Sequence, residues 1–283
     1  MKFTIQINII VLLLSLFSTS AFSQKREVSI TNEDEKIIND IINKFSEDKN
    51  LSTGELVIKI GQFFLETPYV AHTLEGNLNE HLVVNFREMD CTTFAENCLA
   101  LARTVKLTDP KVSDFYNELC KIRYRKGVIE NYPSRLHYFS DWIYDNDKKK
   151  IIKNITMGEP FKLKVNFMSE HPENYNALKL NPGFIEQIKQ QEKAISTKDF
   201  RYIPKAKLHF SEKKIKNGDI IGITTSINGM DIMHVVIAIW QKGKLHILHA
   251  SQSQEKVLIS EETLEEYLAN RNKATGIMVA RPR

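Results

Sequence analysis

The chain of 283 residues has little cysteine, glycine or proline, and each shortage excludes a class of protein. Three cysteines cannot build a disulfide-dense scaffold. Eleven glycines and eight prolines exclude collagen-like and low-complexity sequences. Hydrophobic residues make up 42% of the chain and charged residues 26%, which is typical of a globular protein. The net charge is only +4 and no long basic run accompanies it, so we expect no nucleic-acid partner.

Long hydrophobic runs are scarce as well, and the one that occurs lies at the N terminus. An apolar run over residues 9–17 follows the positive charge of Lys2, and small residues stand at Ala21 and Ser23. This order is typical of a secretory signal peptide, so we predict that residues 1–23 are removed on export. The run is shorter than the roughly 20 residues of a membrane span, and we expect no stable membrane anchor. An uncleaved anchor is the alternative. The predicted location is the periplasm, or the outside of the cell.

The remaining chain divides into a helical first part and a strand-rich last part. Apolar residues at helical spacing predict helices over residues 33–48, 51–64, 90–105 and 114–124. Segments rich in Ile and Val predict strands over residues 219–223, 230–240, 244–250 and 276–280, with a short helix over 263–268. Residues 131–200 show no regular pattern and form a predicted inserted region. We therefore predict one α+β domain over residues 24–283, with helices followed by a meandering antiparallel sheet.

One cysteine stands where a helix is predicted to begin. Asp90 precedes Cys91, and an apolar helical pattern follows, so Asp90 is the predicted N-cap. Free backbone N–H groups and the helix dipole would then lower the pKa of the Cys91 thiol and favour the nucleophilic thiolate. The alternative is a buried structural cysteine. Cys98 on the core face of the same helix, and Cys120, are predicted to pack. At most one disulfide can form among three cysteines, so at least one thiol stays reduced in an exported protein.

Two histidines are predicted to be neighbours on one face of the sheet. A hairpin that pairs Trp240 with Leu245 makes His234 and His249 diagonal neighbours and turns His246 to the opposite face. A β-bulge would change this register. Two histidines beside a cysteine suggest a general base and a residue that orients it.

The same three side chains, Cys91, His234 and His249, would also suit a zinc ion with one water. However, the sequence lacks a His-x-x-x-His motif, a close cysteine pair and a carboxylate at a known ligand spacing. We therefore predict no metal and no other cofactor.

Separate blocks of the sequence resemble one known family. They are Thr67-Pro-Tyr-Val70, Leu74-Glu75, Asp90-Cys-Thr-Thr-Phe-Ala-Glu96, Ser134-Arg-Leu-His-Tyr-Phe-Ser-Asp-Trp142, Asn166-Phe-Met-Ser169, Gly218-Asp219-Ile220 and His249-Ala-Ser251. This pattern resembles the N-acetylmuramoyl-L-alanine amidase-like family of the NlpC-type cell-wall cysteine peptidases. The resemblance implies a papain-like fold, with peptidoglycan or a muropeptide as the substrate. The superfamily often has Asp-Cys-Ser-Gly where this chain has Asp-Cys-Thr-Thr, so the endopeptidase specificity does not carry over directly.

The resemblance also implies a role for individual residues. Cys91 would be the nucleophile, His234 the general base and His249 the residue that orients it. A substrate-binding role is implied for Tyr69, Asp90, Ser140 and Asp141. For the last two, a competing interpretation is a helix cap ahead of a core tryptophan.

The predicted reaction is hydrolysis of the amide between N-acetylmuramic acid and L-alanine through a thioester intermediate. One alternative is an endopeptidase that cuts the γ-D-glutamyl bond within the stem peptide. The other is an inactive wall-binding protein in which the cysteine and the histidines are core residues. The sequence indicates no oligomeric state.

Overall fold

The structure, a computed structural model, describes residues 27–75 and 79–283. The predicted signal peptide lies outside the described residues. Within those residues, every helix is too short or too polar to cross a membrane.

Helices account for much of the first two thirds of the described chain. They are α1 Asn32–Lys44, α2 Thr53–Phe63, α3 Cys91–Val105, α4 Val112–Arg123, α5 Phe139–Lys148, α6 Phe167–Glu170, α7 Asn176–Leu180, α8 Gly183–Ser196, α9 Leu208–Ser211 and α10 Leu264–Ala269. Polar residues in front of four of them accept hydrogen bonds from first-turn N–H groups, which explains where these helices begin: Thr31, Ser52, Asp90 and Thr263.

The strands form one large sheet and one short pair. They are β1 Val28–Ser29, β2 Leu82–Val83, β3 Ile152–Asn154, β4 Glu159–Phe161, β5 Phe200–Pro204, β6 Ile220–Thr225, β7 Ile232–Gln241, β8 Lys244–Ser251, β9 Lys256–Thr263 and β10 Ala274–Pro282. The large sheet has the order β4-β5-β10-β6-β7-β8-β9, with β3 also paired to β10, and its pairings are antiparallel. The short β1–β2 pair is parallel.

The predicted α+β class is confirmed, and the predicted helices and strands occur within a few residues of their expected bounds. The predicted meander is only partly correct. Strands β6 to β9 follow one another, but β10 returns to lie between β5 and β6. The region over residues 131–200 is more regular than predicted, because it contains four helices, of which α8 is the longest.

Helix α3 is the central helix, because it packs against α2, α4 and the strands β7 and β8. Its apolar face is fully buried, and each such Leu or Phe side chain contributes about 1.5–3 kcal/mol through removal from water. Helix α2 approaches the sheet closely at Gly61, where an added Cβ would lie 2.7 Å from a methyl carbon of Leu248. This packing brings the N terminus of α3 against β7.

A buried carboxylate connects the helices of the middle region, residues 131–200. Glu192 of α8 is 2% exposed and accepts a hydrogen bond of 2.6 Å from the hydroxyl of Tyr138. The same oxygen accepts bonds of 3.1 Å from the backbone N–H groups of Met168 and Ser169. A buried carboxylate needs such donors, so this cluster ties α8 to α5 and α6.

Candidate active site

Cys91 is the first residue of α3, as predicted, and Asp90 is the N-cap. The Oδ1 atom of Asp90 accepts hydrogen bonds from the backbone N–H groups of Thr92 at 3.0 Å and Thr93 at 2.7 Å. Cys91 is partly exposed and lines an open cleft. The cap therefore fixes the position of Cys91 at the N terminus of α3.

The two histidines meet as predicted from the hairpin register. Trp240 lies opposite Leu245, and His246 lies opposite Ile239. The Nε2 atom of His234 is 2.7 Å from the Nδ1 atom of His249, so one ring donates a hydrogen bond to the other.

The thiol and the first histidine share one cleft. Cys91 and His234 both line it. The backbone of Val235, the residue after His234 in β7, lies close enough to the thiol to lower its pKa against the larger effect of burial. The structure therefore brings Cys91, His234 and His249 together, with His249 behind His234.

The prediction of a lowered pKa for Cys91 is wrong. Burial and, to a smaller extent, the charge of Asp90 raise the pKa of this thiol to about 11. Desolvation disfavours the thiolate more than the helix N terminus favours it. In the free protein at neutral pH, the thiol of Cys91 is therefore protonated.

The two imidazoles are neutral as well. Burial lowers the pKa of His234 to about 3, with further contributions from His249 and Arg271. Burial and Arg271 lower the pKa of His249 to about 4, against a smaller opposite effect of Glu262. The resting site is thus a neutral thiol beside two neutral imidazoles, and each imidazole keeps one unprotonated nitrogen that can accept a proton.

An aromatic and a basic residue that the sequence analysis missed pack against the histidines. The ring of Tyr267 lies 6.2 Å from the ring of His234 and 5.7 Å from that of His249. The guanidinium carbon of Arg271 lies 3.4 Å from the centre of the Tyr267 ring, and Arg271 is ion-paired with Glu262 at 2.8 Å. Tyr267 and Arg271 are four residues apart, which is the spacing of neighbouring side chains on a helix. This signal predicts that the two side chains are in contact, but it does not predict that Tyr267 lies against the histidines.

Tyr69 lies near the thiol, whereas Asp90 is occupied by its capping bonds. The ring of Tyr69 is half-buried, and its pKa is raised to about 12 by burial and by the nearby Cys91 and Asp90. The backbone N–H of Tyr69 donates a hydrogen bond of 2.9 Å to the carbonyl of Glu255, which fixes its position beside β9.

Ser140 and Asp141 lie in the protein interior, at 0% and 1% exposure, and not at the cleft wall where the resemblance placed them. The backbone N–H of Ser140 donates a 2.7 Å hydrogen bond to Asp231, and Asp231 in turn lines the cleft. Asp141 is ion-paired with Arg125 at 2.5 Å and Lys198 at 3.0 Å. These partners correct the predicted role: both residues support the fold around the cleft.

Other residues of the middle region do line the cleft, among them Tyr132, His137, Met168 and Tyr175. The expected contribution of residues 131–200 to the groove therefore comes from different side chains than the resemblance implied.

The remaining cysteines are buried, as predicted. Cys98 is 0% exposed, and Cys120, 1% exposed, donates its thiol hydrogen to the carbonyl of Gly127 at 3.3 Å. Cys91 and Cys98 are free thiols. Within residues 27–75 and 79–283, no group of three or more His, Cys, Asp or Glu side chains is placed to hold a metal ion.

Solved structures similar to this chain come from three bacterial species. A solved N-acetylmuramoyl-L-alanine amidase from Bacteroides uniformis is 41% identical, with a TM-score of 0.78 over 82% of this chain and 99% of that one. A Bacteroides fragilis protein provisionally named a xylanase is 43% identical, with a TM-score of 0.76 over 79% of this chain and 99% of that one. A Legionella pneumophila protein at 21% identity shares the fold, with a TM-score of 0.64 over 88% of this chain and 95% of that one.

The search of curated protein sequences found no match. A family model, in contrast, covers most of the chain: the model described as AmiA-like, N-acetylmuramoyl-L-alanine amidase-like, matches residues 59–277. The chain therefore belongs to the N-acetylmuramoyl-L-alanine amidase-like family.

Proposed function

We propose that this protein is an exported cysteine amidase of the papain-like NlpC type. It hydrolyses the amide between N-acetylmuramic acid and L-alanine in peptidoglycan fragments, and it uses no metal or other cofactor. The observation that carries the proposal is the placement of Cys91, at the start of α3, in one cleft with His234, which is hydrogen-bonded to His249. Family membership supports a hydrolase that acts on peptidoglycan.

Activation of the nucleophile has to accompany its attack on the carbonyl carbon, because the thiol of the free protein is protonated. The Cys91 thiol, with a pKa of about 11, loses its proton to His234 as sulfur attacks the carbonyl carbon. For His234 to accept at Nδ1, its Nε2 must carry the other proton and donate it to Nδ1 of His249. His249 thus selects the tautomer of the base and holds its ring.

The remaining steps use the same groups. The backbone N–H of Cys91 stabilises the oxyanion at the start of α3, since Asp90 already occupies those of Thr92 and Thr93. The imidazolium of His234 protonates the leaving amine of L-alanine, and the acyl group stays on Cys91 as a thioester. A water molecule, deprotonated by His234, then attacks the thioester, releasing the muramic acid carboxylate and the free thiol.

The decisive experiment identifies the products by mass spectrometry after residues 24–283 are incubated with a purified disaccharide-peptide. Free disaccharide and an intact stem peptide are expected. A disaccharide that keeps L-alanine and D-glutamate would show the endopeptidase reaction instead. Xylan, suggested by the name of the Bacteroides fragilis protein, is a negative control substrate.

Matched variants identify the catalytic groups. Cys91→Ala and His234→Ala should abolish cleavage, because they remove the nucleophile and its base. Cys98→Ala and His246→Ala should retain it, because Cys98 is buried and His246 hydrogen-bonds to Ser260 at 3.1 Å, away from the pair. Full activity of Cys91→Ala would contradict the cysteine mechanism.

Export is a separate part of the proposal. In the native host, the mature protein should begin at Gln24 and appear in the periplasmic fraction, because residues 1–23 read as a signal peptide. N-terminal sequencing of the fractionated protein tests this, and a cytoplasmic protein that begins at Met1 would contradict it.

A further inference from the structure

The cleft contains polar groups whose hydrogen-bonding capacity is unused in the described part of the chain. Tyr132 is only 4% exposed, yet its hydroxyl has no partner there. The Oε2 atom of Glu75 is likewise buried without one. Both residues line the cleft that contains Cys91 and His234. A buried polar group without a partner is costly in the free protein, so a bound molecule that pairs with it gains correspondingly.

A third group, His137, offers an acceptor at the same place. Its Nε2 atom is 2.9 Å from the backbone carbonyl of Tyr132, and a carbonyl oxygen only accepts, so Nε2 carries the hydrogen. Burial and the nearby Arg135 lower the pKa of His137 to about 3, which keeps the ring neutral and leaves Nδ1 unprotonated. The rings of His137 and Tyr132 lie 4.5 Å apart, so the two side chains form one unit.

The charges around this unit restrict what it can bind. Arg135 lies 4.9 Å over the ring of Tyr132 and pairs with Glu75 at 2.8 Å and with Glu80 at 2.7 Å. Arg135 already compensates the charge of Glu75 and lies close to its unpaired Oε2 atom. Binding of a second cation at this oxygen is therefore unfavourable. A carboxylate could pair only with the Tyr132 hydroxyl and would face the acceptor atoms of Glu75 and His137. The groups therefore suit a neutral ligand rich in hydroxyls.

The rest of the cleft wall suits a sugar ring. The aromatic side chains of Tyr175 and Phe167 line the same cleft and offer apolar faces to the C–H groups of a pyranose. A sugar hydroxyl can both donate and accept a hydrogen bond. It can therefore pair with the hydroxyl of Tyr132 and with the acceptor atoms of Glu75 and His137.

We propose that Tyr132, His137 and Glu75 form a subsite that binds hydroxyl groups of the muramic acid sugar, on the acyl side of the scissile amide. This inference rests on the proposed function. Within the sequence block over residues 134–142, it assigns substrate contact to His137. Ser140 and Asp141, in the same block, act from the interior.

The test compares two substrates that differ only in the sugar: N-acetylmuramoyl-L-alanyl-D-isoglutamine and D-lactoyl-L-alanyl-D-isoglutamine. For the sugar-bearing substrate, Tyr132→Phe and His137→Phe should each raise KM about fivefold to tenfold, with little change in kcat, since each removes one or two neutral hydrogen bonds. His137→Gln, which keeps a donor and an acceptor, should restore part of the loss. On the lactoyl substrate, neither phenylalanine variant should change KM.

A matched control is Tyr144→Phe, which removes a tyrosine hydroxyl from an exposed position on α5. It should leave KM unchanged for both substrates. Thermal unfolding of each variant shows whether it is folded. An equal rise of KM on both substrates, or no rise on either, would overturn the subsite.

A binding measurement separates this inference from the proposed function. In the Cys91→Ala variant, saturation-transfer NMR should detect the methyl glycoside of N-acetylmuramic acid, and the additional change Tyr132→Phe should weaken that signal. If the wild type cleaves neither substrate while this binding persists, the amidase proposal fails and the subsite stands. If cleavage proceeds while the glycoside does not bind, the subsite is wrong and the amidase proposal stands.

Discussion

At the scale of single residues, burial decides the charge state of the candidate site. The thiol of Cys91 and the rings of His234 and His249 are each partly or largely desolvated, and desolvation favours the neutral form of each. In such a site, the cysteine is not a thiolate before the substrate binds. It depends on a proton transfer to His234 in the complex with substrate, so the placement of the histidine ring matters more than its resting charge.

The pH dependence of labelling tests this charge state. Iodoacetamide should modify Cys91 faster than Cys98 at every pH, because only Cys91 is partly exposed. The rate at Cys91 should keep rising through alkaline pH toward about 11, since only the thiolate reacts. Peptide mass mapping of labelled protein measures both rates. A rate that levels off near neutral pH would contradict the raised pKa.

The packing of Tyr267 against both histidines predicts a positioning role. Tyr267→Leu should lower kcat about tenfold or more, because loss of the flat ring lets His234 and His249 move from their hydrogen-bonded arrangement. Tyr267→Phe keeps the ring and should retain most of the activity. Equal losses in the two variants would assign the effect to the hydroxyl instead.

Removal of the nearby cation should shift the acid limb of the pH–rate profile. Arg271 lowers the pKa of both histidines, so Arg271→Gln should raise those values and move the acid limb of kcat/KM to higher pH. Glu262 acts on His249 in the opposite direction, and Glu262→Gln should move the limb to lower pH. Shifts of the same sign in both variants would exclude this electrostatic explanation.

At the scale of elements, the cap of α3 links stability to the position of the thiol. Asp90 accepts two backbone hydrogen bonds at the start of the helix, and Asp90→Ala should cost about 1 kcal/mol of the free energy of unfolding. It should also lower kcat, because Cys91 is the next residue and depends on the same turn. Urea unfolding and steady-state kinetics measure the two effects.

Ser52 provides the control for this prediction, since it caps α2 in the same way. Ser52→Ala should cost a similar free energy of unfolding without the loss of kcat. If the two variants affected kcat equally, the cap of α3 would have no special role in the site.

At the scale of the whole molecule, buried histidines make stability depend on pH. His137 and His234, with pKa values of about 3, and His249, with about 4, all lie below the value of about 6.5 in an unfolded chain. Between these limits the unfolded chain binds protons that the folded protein does not, so acidification favours unfolding. The stabilisation is complete above about pH 6.5 and is lost as the pH falls toward about 4 for His249 and about 3 for the other two.

The expected slope is about 1.4 kcal/mol per pH unit for each such histidine. Urea unfolding of the wild type between these limits should therefore show a falling free energy of unfolding on acidification. In the variant His249→Asn, the slope of the free energy of unfolding against pH should be smaller by about 1.4 kcal/mol per pH unit, the contribution of one histidine. An unchanged slope would mean that His249 is protonated in the folded protein.

The sequence alone determined the features that depend on residues close together in the chain. Helical periodicity and the Asp90 cap predicted α3 and the place of Cys91, and the tight hairpin determined that His234 and His249 share a face of the sheet. Local geometry suffices there, because a cap spans three residues and a hairpin fixes its own register.

The tertiary structure decided everything that depends on contacts between distant segments. Desolvation of Cys91 requires the whole cleft around it, so its raised pKa is not visible in the sequence. The position of β10 between β5 and β6, the contact of Tyr267 with the histidines and the inward orientation of Ser140 and Asp141 likewise arise from packing. Burial and electrostatic interactions depend on distance in space, and only the folded chain sets those distances.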